Sequence, residues 1–422
     1  MLFNFERCLK PVFLFTSLIA AALPAPCFAS EPALALREAQ RLAIDRSRSL
    51  AGQRFAESAS RDMAVAAGQY PDPVVTLGID NVPAEGNDKF SLTRDFMTMK
   101  RVAVMQELTG GEKRRLRAER YELEALKGVT EQQATLAMIQ RDVALAWLDA
   151  WHAEAMAAVL AEQRVRGLQE VQAAEAEYRA GRGSQSEVLV AHSSLAMLDD
   201  RAADLERRVR TTRTMLARWT GEESRRALGP RPDIGSIDMA MHDGMFALHP
   251  QIQVLARAQE IAVSEARLAQ ANRKPDWSIE LAYSERASRF GDMFSVGVSI
   301  PLPWDRANRQ DRQAAAKFAL AGQAEALREE ALRQHEAEVR AMAQEWDSNR
   351  TRLARYEREI IPLASRRAEA TLAAYRGGKS SQGDVLAARR SELEARLQAL
   401  QLESETARLW AQLNYLMPES LK

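Results

Sequence analysis

An internal duplication constrains this chain more than any other feature of its sequence. Residues 178–189 read YRAGRGSQSEVL, and residues 375–386 read YRGGKSSQGDVL. Seven of the twelve positions are identical, and the others exchange residues of similar size or charge. A repeat half a chain apart predicts two halves that fold alike.

The order of elements in each half supports this prediction. Tyr70-Pro71-Asp72 in the first half resembles Lys274-Pro275-Asp276 in the second. Each tripeptide follows a helical stretch and precedes a pair of alternating segments. A long polar helix, the repeated motif and a return helix come next. We therefore expect a first structural repeat at 30–230 and a second at 231–422.

The alternating segments predict two strands in each half. Polar links at 81–96 and 285–292 join the strands of each pair. The segment 97–106 is the least regular of the four, because Lys100 and Arg101 interrupt it. The apolar positions of the other three are Val75, Leu77 and Ile79; Trp277, Ile279, Leu281 and Tyr283; and Phe294, Val296, Val298 and Ile300.

The long helices are predicted from an absence of breakers. No proline occurs from Glu112 to Glu177, which gives a helix of roughly 100 Å at ~1.5 Å per residue. Arg306 to Ala374 predicts a similar helix with one proline, Pro362. Ala, Glu, Gln, Arg and Leu dominate most of the chain, which is the composition of long helices or coiled coils.

Four strands of this length and alternation match membrane β-strands, but four strands cannot close a barrel. Open sheet edges are not tolerated in lipid, so several chains must share one barrel. Three copies would supply twelve strands, an even number within the known range. The fold class we predict is mainly α with a membrane β-barrel.

The N-terminus predicts export. Arg7 and Lys10 precede a short apolar run that ends near Ala29, as in a secretory signal peptide of residues 1–29. The alternative is a lipoprotein acylated at Cys27. The chain has two cysteines, Cys8 and Cys27, so cleavage after Ala29 would remove both. A disulfide framework or a thiolate site is then excluded.

These features together resemble the TolC family of outer-membrane channels, from about residue 33 to 418. The resemblance rests on the duplicated motif and on the segment EREIIPLASRRAEATLAAYRGGKSSQGDVL. It also rests on the strand exits, Gln106-Glu107-Leu108 and Pro301-Leu302-Pro303. The length and the first half look most like the heavy-metal efflux branch, the CzcC and CusC types. The resemblance implies a homotrimer with a twelve-stranded barrel and a long periplasmic α-helical tunnel.

The resemblance also implies where the functional residues lie. The repeated motif would form the periplasmic tip, where the long helix turns back at Gly181 or Gly378 and meets an adaptor protein. The family's second ring aspartate falls on Ala387 and its gating arginine on Ser380, so the gate is only partly kept. The docking candidates are Tyr178, Gly181, Arg182, Tyr375, Gly378 and Lys379, and the gate candidates are Glu187, Tyr375 and Asp384.

Other candidate sites are weaker. Met239, Met241, His242, Met245 and His249 could supply ligands to copper, but they read equally well as a helix start with methionine as packing filler. We therefore predict no metal site. No nucleophile elbow, phosphate loop or HExxH motif occurs, so we predict no enzymatic activity and no cofactor. The formal net charge is zero, and we expect no nucleic-acid partner.

The predicted function is an exit duct in the outer membrane. The implied partners are a periplasmic membrane-fusion adaptor, an inner-membrane pump of the RND type and outer-membrane lipid. Heavy-metal cations are the first choice of cargo. Multidrug efflux and type I secretion are the alternatives within this class. A periplasmic coiled-coil adaptor is the alternative from another class, and it would lack the repeated strand pair.

Overall fold

The computed structural model describes residues 32–237 and 244–419. The predicted signal peptide, with Cys8 and Cys27, lies outside these ranges. The described chain is mostly helical and carries a four-stranded sheet. Its main elements are α1 Leu36–Arg46, α2 Arg48–Ala67, β1 Val74–Asp80, β2 Met99–Leu108, α3 Gly111–Arg179, α4 Gln185–Thr220, α5 Pro250–Ala271, β3 Trp277–Arg286, β4 Met293–Ser299, α6 Gln310–Arg355, α7 Ile361–Arg376 and α8 Gln382–Asn414.

The sheet is antiparallel throughout, in the order β1-β2-β3-β4. Each half contributes one strand pair, with Val74 opposite Met105 in the first and Ser278 opposite Ser299 in the second. The two pairs join where β2 lies beside β3, with Val102 opposite Tyr283. The predicted pair of strands in each half is confirmed.

One face of the sheet is apolar and exposed. Side chains directly opposite each other share a face, so the register assigns the apolar positions of all four strands to the same side. An apolar surface of this extent requires a nonaqueous or protein environment. Its members, exposed between 43% and 73%, are Val75, Leu77, Ile79, Val102, Val104, Trp277, Leu281, Tyr283, Phe294, Val296 and Val298.

The opposite face is polar and explains the irregular strand β2. Arg101 forms an ion pair with Glu280 on β3 and lies 3.8 Å from Asp80 on β1. Lys100, at the loop end of the apolar face, lies 3.5 Å from Glu285. The two cations that interrupt the alternation are therefore matched by acids on neighbouring strands.

The sheet has two unpaired edges. Within the described residues, β1 and β4 each have only one strand neighbour. Their outer N–H and C=O groups can pair only with another molecule or with water. One copy therefore cannot form a closed barrel.

The long helices confirm the sequence prediction in the first half and refine it in the second. Helix α3 is 69 residues long, roughly 100 Å at ~1.5 Å per residue. In the second half, α6 and α7 are separated by one π-helical turn, Tyr356–Ile360. Pro362 follows this turn and has no N–H to donate to the preceding turn, which favours a local widening of the helix.

The main core lies midway along the helices. Trp147 is fully buried on α3 and donates its indole N–H to the carbonyl of Leu34 at 3.0 Å. Trp346 on α6 donates in the same way to Ile234 at 3.2 Å. By length and composition α3 could cross a membrane, but half of its most apolar window is buried inside the protein. The apolar residues of this window therefore pack against the neighbouring helices of the core.

Candidate functional site

The two copies of the repeated motif form the two turns at the far end of the helices from the sheet. Helix α3 ends at Arg179 and α4 begins at Gln185. Gly181 has φ +71°, the left-handed conformation that glycine adopts most easily. The backbone N–H groups of Arg182 and Gly183 both donate to the carbonyl of Glu177, at 3.0 and 3.1 Å. These bonds give a hydrogen-bond partner to one of the free carbonyl groups at the C-terminal end of α3.

The second turn repeats the first. Gly378 has φ +69° and donates its N–H to the carbonyl of Tyr375 at 2.9 Å. The N–H of Lys379 donates to Ala374 at 2.9 Å. The turn-forming role predicted for Gly181 and Gly378 therefore agrees with the geometry at both positions.

Each return helix begins with a capping box. The Glu187 N–H donates to Ser184 Oγ at 3.3 Å, and the Ser184 N–H donates to Glu187 Oε2 at 2.8 Å. Ser381 and Asp384 make the matching pair at 3.2 and 3.0 Å. Ser380, on which the sequence resemblance places a gating arginine, also donates its hydroxyl to Asp384 at 3.0 Å. Both candidate gate acids thus start a helix, whatever else they do.

The acids of the first turn influence the tyrosine of the second. Burial raises the pKa of Tyr375, and the acids Glu177 and Glu187 of the first turn raise it further. Hydrogen bonds from Ser381 lower the pKa of Asp384, so its carboxylate stays charged at neutral pH. Glu187, a gate candidate of the first turn, thus contributes to the raised pKa of Tyr375, a gate candidate of the second.

The basic candidates differ between the turns. Arg182 donates to Glu177 of its own helix, with Nε 2.9 Å from Oε2. In the described residues, Lys379 has no side-chain hydrogen bond or ion pair, and Tyr178 is 49% exposed. Lys379 and Tyr178 are thus the docking candidates whose side chains are available to a partner.

An ion pair that the sequence did not predict joins the two hairpins above these turns. Arg389 on α8 lies 2.5 Å from Glu170 on α3, and Gln382 donates to the Glu170 carbonyl at 3.2 Å. Burial raises the pKa of Glu170 although Arg389 opposes the shift. The two residues are more than 200 positions apart, and no spacing rule relates them.

A groove runs beside this ion pair, between the hairpin of α3 and α4 and helix α8. Its volume is about 210 Å³. Ala387, on which the sequence resemblance places a second ring aspartate, contributes to the wall. The other apolar residues of the wall are Val190, Met197, Leu198, Leu386 and Leu393.

Of the methionine and histidine candidates, the structure describes Met245 and His249, which lie beside the main core and far from the turns in sequence. Met239, Met241 and His242 fall outside the described residues. His249 Nδ1 lies 2.6 Å from His335 Nε2, a contact between residues that appear unrelated in the sequence. Within residues 32–237 and 244–419, no cluster of three or more His, Cys, Asp or Glu is placed to hold a metal ion.

Comparison with known proteins defines the class of fold. No protein-family model matches the sequence, and no curated protein matches it. The outer-membrane channel OprN superimposes with a TM-score of 0.76 at 19% identity, over 91% of this chain and 90% of that one. The outer-membrane protein VceC of Vibrio cholerae gives 0.74 at 18%, over 90% and 95%. CusC gives 0.73 at 15%, over 90% and 92%.

These likenesses establish the fold. The chain has the architecture of the outer-membrane channels, with its strands and helices in the same arrangement over nearly the whole described length. Its structural neighbours are channel proteins and not enzymes. The predicted fold class is confirmed.

Proposed function

We propose that the chain is an outer-membrane exit duct of the TolC family, acting in a tripartite efflux system. The observation that carries the proposal is the exposed apolar face of an open four-stranded sheet, set on helices of roughly 100 Å. An apolar face suits a bilayer, and the long helices suit a tunnel through the periplasm. The match to three channel structures over nine-tenths of the chain supports this proposal.

The same sheet supports a homotrimer. The outer edges of β1 and β4 need partners before the sheet can enter lipid. Three copies that pair β4 of one with β1 of the next would close a barrel of twelve strands. A signal peptide at residues 1–29 would export the chain, and the structural repeats at 30–230 and 231–422 remain the proposed domains.

Membrane fractionation and an unheated gel test the channel proposal. We expect the protein in the outer-membrane fraction, migrating as a heat-sensitive oligomer about three times the mass of the boiled chain. A soluble monomer would contradict the proposal. It would favour a periplasmic helical protein, although the exposed apolar sheet argues against that alternative.

The helical turns are the proposed docking and gating end. Tyr178, Gly181, Arg182, Tyr375, Gly378 and Lys379 would meet the hairpin of a periplasmic adaptor, and the adaptor would join the duct to an inner-membrane pump. Cysteine placed at position 379 should cross-link to the adaptor in cells. Cysteine at position 206, on the exposed body of α4, is the matched control and should not.

Heavy-metal cations moved by an RND-type pump are the cargo we propose. The support is the sequence resemblance to the heavy-metal branch, together with the presence of CusC among the structural neighbours. Deletion of the gene should reduce growth on copper, zinc or cobalt and leave drug tolerance unchanged. Unchanged metal tolerance with lost drug tolerance would instead assign the duct to multidrug efflux.

A further inference from the structure

The duplication supplies a template for the contact between copies. Within one chain, β2 and α3 of the first half lie against β3 and α5 of the second. We call this contact the first junction. In a closed ring, β4 and α6 of one copy would lie in the same way against β1 and α2 of the next. This inference rests on the proposed trimer, and the contacts at the first junction can be read directly from the structure.

A buried ion pair between Lys113 and Asp276 holds the base of the first junction, beside a looser, exposed pair of Lys274 with Glu112 at 3.7 Å. Lys113, near the start of α3, is only 5% exposed. Its Nζ lies 2.8 Å from Asp276 Oδ2 and donates to the Lys274 carbonyl at 2.6 Å. The other carboxylate oxygen of Asp276 accepts from the Gly110 N–H at 3.0 Å. These bonds tie the first turn of α3 to the segment that leads into β3.

The sheet register identifies the counterpart of Asp276. The pair Val74–Met105 in the first half corresponds to Ser278–Ser299 in the second. Asp276 lies two residues before Ser278, and the residue two before Val74 is Asp72. A proline precedes both aspartates. Asp72 is exposed and has no ion-pair partner in the described part of the chain.

The buried helix positions identify the counterpart of Lys113. Ala125 and Val143 are buried on α3, and Ala321 and Val339 are buried on α6 with the same spacing. Lys113 lies twelve residues before Ala125, and the residue twelve before Ala321 is Arg309. Arg309 is exposed, and among the described residues no acid pairs with its side chain.

We propose that Arg309 of one copy binds Asp72 of the next copy, completing between chains the contact that Lys113 and Asp276 make within one. The site is half-built in each chain, and a second copy of this chain supplies the missing charge. Arginine suits an exposed position of this kind, because its guanidinium can bind both carboxylate oxygens at once.

The charged side chains around Arg309 and Asp72 have other partners, so these two residues remain free to bind each other. Arg306 lies 3.4 Å from Asp311, and Arg273 lies 2.7 Å from the same carboxylate. On the other side, Arg114 stacks 3.7 Å from the centre of the Tyr70 ring and donates to the Gly68 carbonyl. The neighbouring cations thus have partners of their own, and none of these contacts uses Asp72.

Apolar side chains on the two free helix sides extend the same interface. Phe55 is 76% exposed on α2. It lies two residues from both Gln53 and Glu57, which face α3, so it points to the opposite side of α2. On α6, Leu320 and Leu327 are 48% and 58% exposed. Each follows a buried alanine by six residues and lies about 120° round the helix from it.

Cross-linking between engineered cysteines tests the pair. The double variant Asp72→Cys/Arg309→Cys, treated with a short bismaleimide in outer membranes, should give covalent dimers and trimers on a denaturing gel. The matched control is Lys113→Cys/Asp276→Cys, which should link within one chain and run as a monomer. Each single-cysteine variant should also run as a monomer, which excludes a contribution from Cys8 or Cys27.

Charge reversal gives a second measurement. Asp72→Arg should lower the temperature at which the unheated oligomer dissociates, and Asp72→Arg/Arg309→Asp should recover most of that loss. Glu85→Arg, in the exposed loop between β1 and β2, should change nothing. An intact trimer with neither cross-linking nor rescue would overturn this pair and leave the channel proposal standing. Absence of a trimer in the wild-type protein would instead defeat the channel proposal.

Discussion

At the scale of single residues, two glycines decide where the long helices turn back. Gly181 and Gly378 both have positive φ, and a Cβ at either would have no neighbour within 4 Å. The requirement for glycine is therefore one of backbone conformation and not of space. Because left-handed backbone is unfavourable for other residues, both positions could be recognised from the repeated motif alone.

Gly378→Ala should cost about 1 kcal/mol of local stability because alanine resists the left-handed conformation. Gly377→Ala is the matched control, since Gly377 has φ −87° and its added Cβ would make only ordinary contacts. Hydrogen exchange of the first turn of α8 measures the difference. Equal exchange in both variants would show that the turn does not depend on Gly378.

Loss of the ion pair between Glu170 and Arg389 should lower the free energy of unfolding most at neutral pH. Burial already raises the pKa of Glu170, so removing the cation raises it further. When the pKa of a carboxyl is higher in the folded protein than its ordinary value of 4.5, protonation favours folding. The folded state is therefore stabilised fully below pH 4.5, and this stabilisation is lost as the pH rises through the raised pKa.

Arg389→Ala should therefore lower the free energy of unfolding by about 2 kcal/mol at pH 7 and by less at pH 5. The loss is smaller than the ~3–5 kcal/mol for a fully buried pair, because both side chains are partly exposed. Denaturant unfolding of the helical end at both pH values gives the measurement. Adding Glu170→Leu to Arg389→Ala should restore most of the loss, because the uncompensated carboxylate is gone. A loss that is the same at both pH values would contradict this account.

At the scale of elements, the sheet divides its side chains between two environments. Val296 and Ser295 are adjacent on β4, yet they belong to opposite faces. Val296→Arg should reduce insertion into lipid vesicles by about 2–4 kcal/mol, the cost of a cation near the middle of a bilayer. Ser295→Arg, on the polar face, should insert almost as well as the wild type. The heat-modifiable fraction on an unheated gel reports both.

The elements also show what sequence patterns could and could not predict. Strands β3 and β4 were predicted to within two residues, because apolar positions alternate with small or polar ones over 277–284 and 294–300. Strand β2 was harder, since Lys100 and Arg101 find their partners on β3, more than 170 residues away. The pattern of one strand contains no information about acids on another.

Some helix ends were predicted from the sequence and others were not. Local signals, the glycines and the capping boxes at Ser184 and Ser381, place the turns correctly. The π-helical turn before Pro362 and the break at Ser47 between α1 and α2 were not predicted. Each has a local cause that the sequence reading overlooked: Pro362 has no N–H to donate to the preceding turn, and the Ser47 side chain caps α2 by accepting from the Leu50 N–H at 3.2 Å. The Glu170–Arg389 pair, by contrast, depends on the packing of helices that are distant in sequence.

At the scale of the whole molecule, threefold symmetry would bring six acids, Glu187 and Asp384 from each copy, to one mouth. Rings of carboxylates favour cations in a pore. Glu187→Gln/Asp384→Asn keeps the oxygen that accepts the capping hydrogen bond but removes the charge. In planar bilayers with a KCl gradient, this variant should lose cation preference. Glu206→Gln, on the outer body of α4, should keep it, and equal selectivity in all three proteins would remove the acids from the gate.

The open edges of β1 and β4 have a consequence for the order of events in biogenesis. A single copy that entered the bilayer would carry two rows of unsatisfied amides into hydrocarbon, so the monomer has no stable inserted state. Association must come before insertion or accompany it. Insertion should then follow higher-order kinetics, with a half-time that shortens as protein concentration rises, whereas a one-chain barrel inserts at a rate independent of its neighbours.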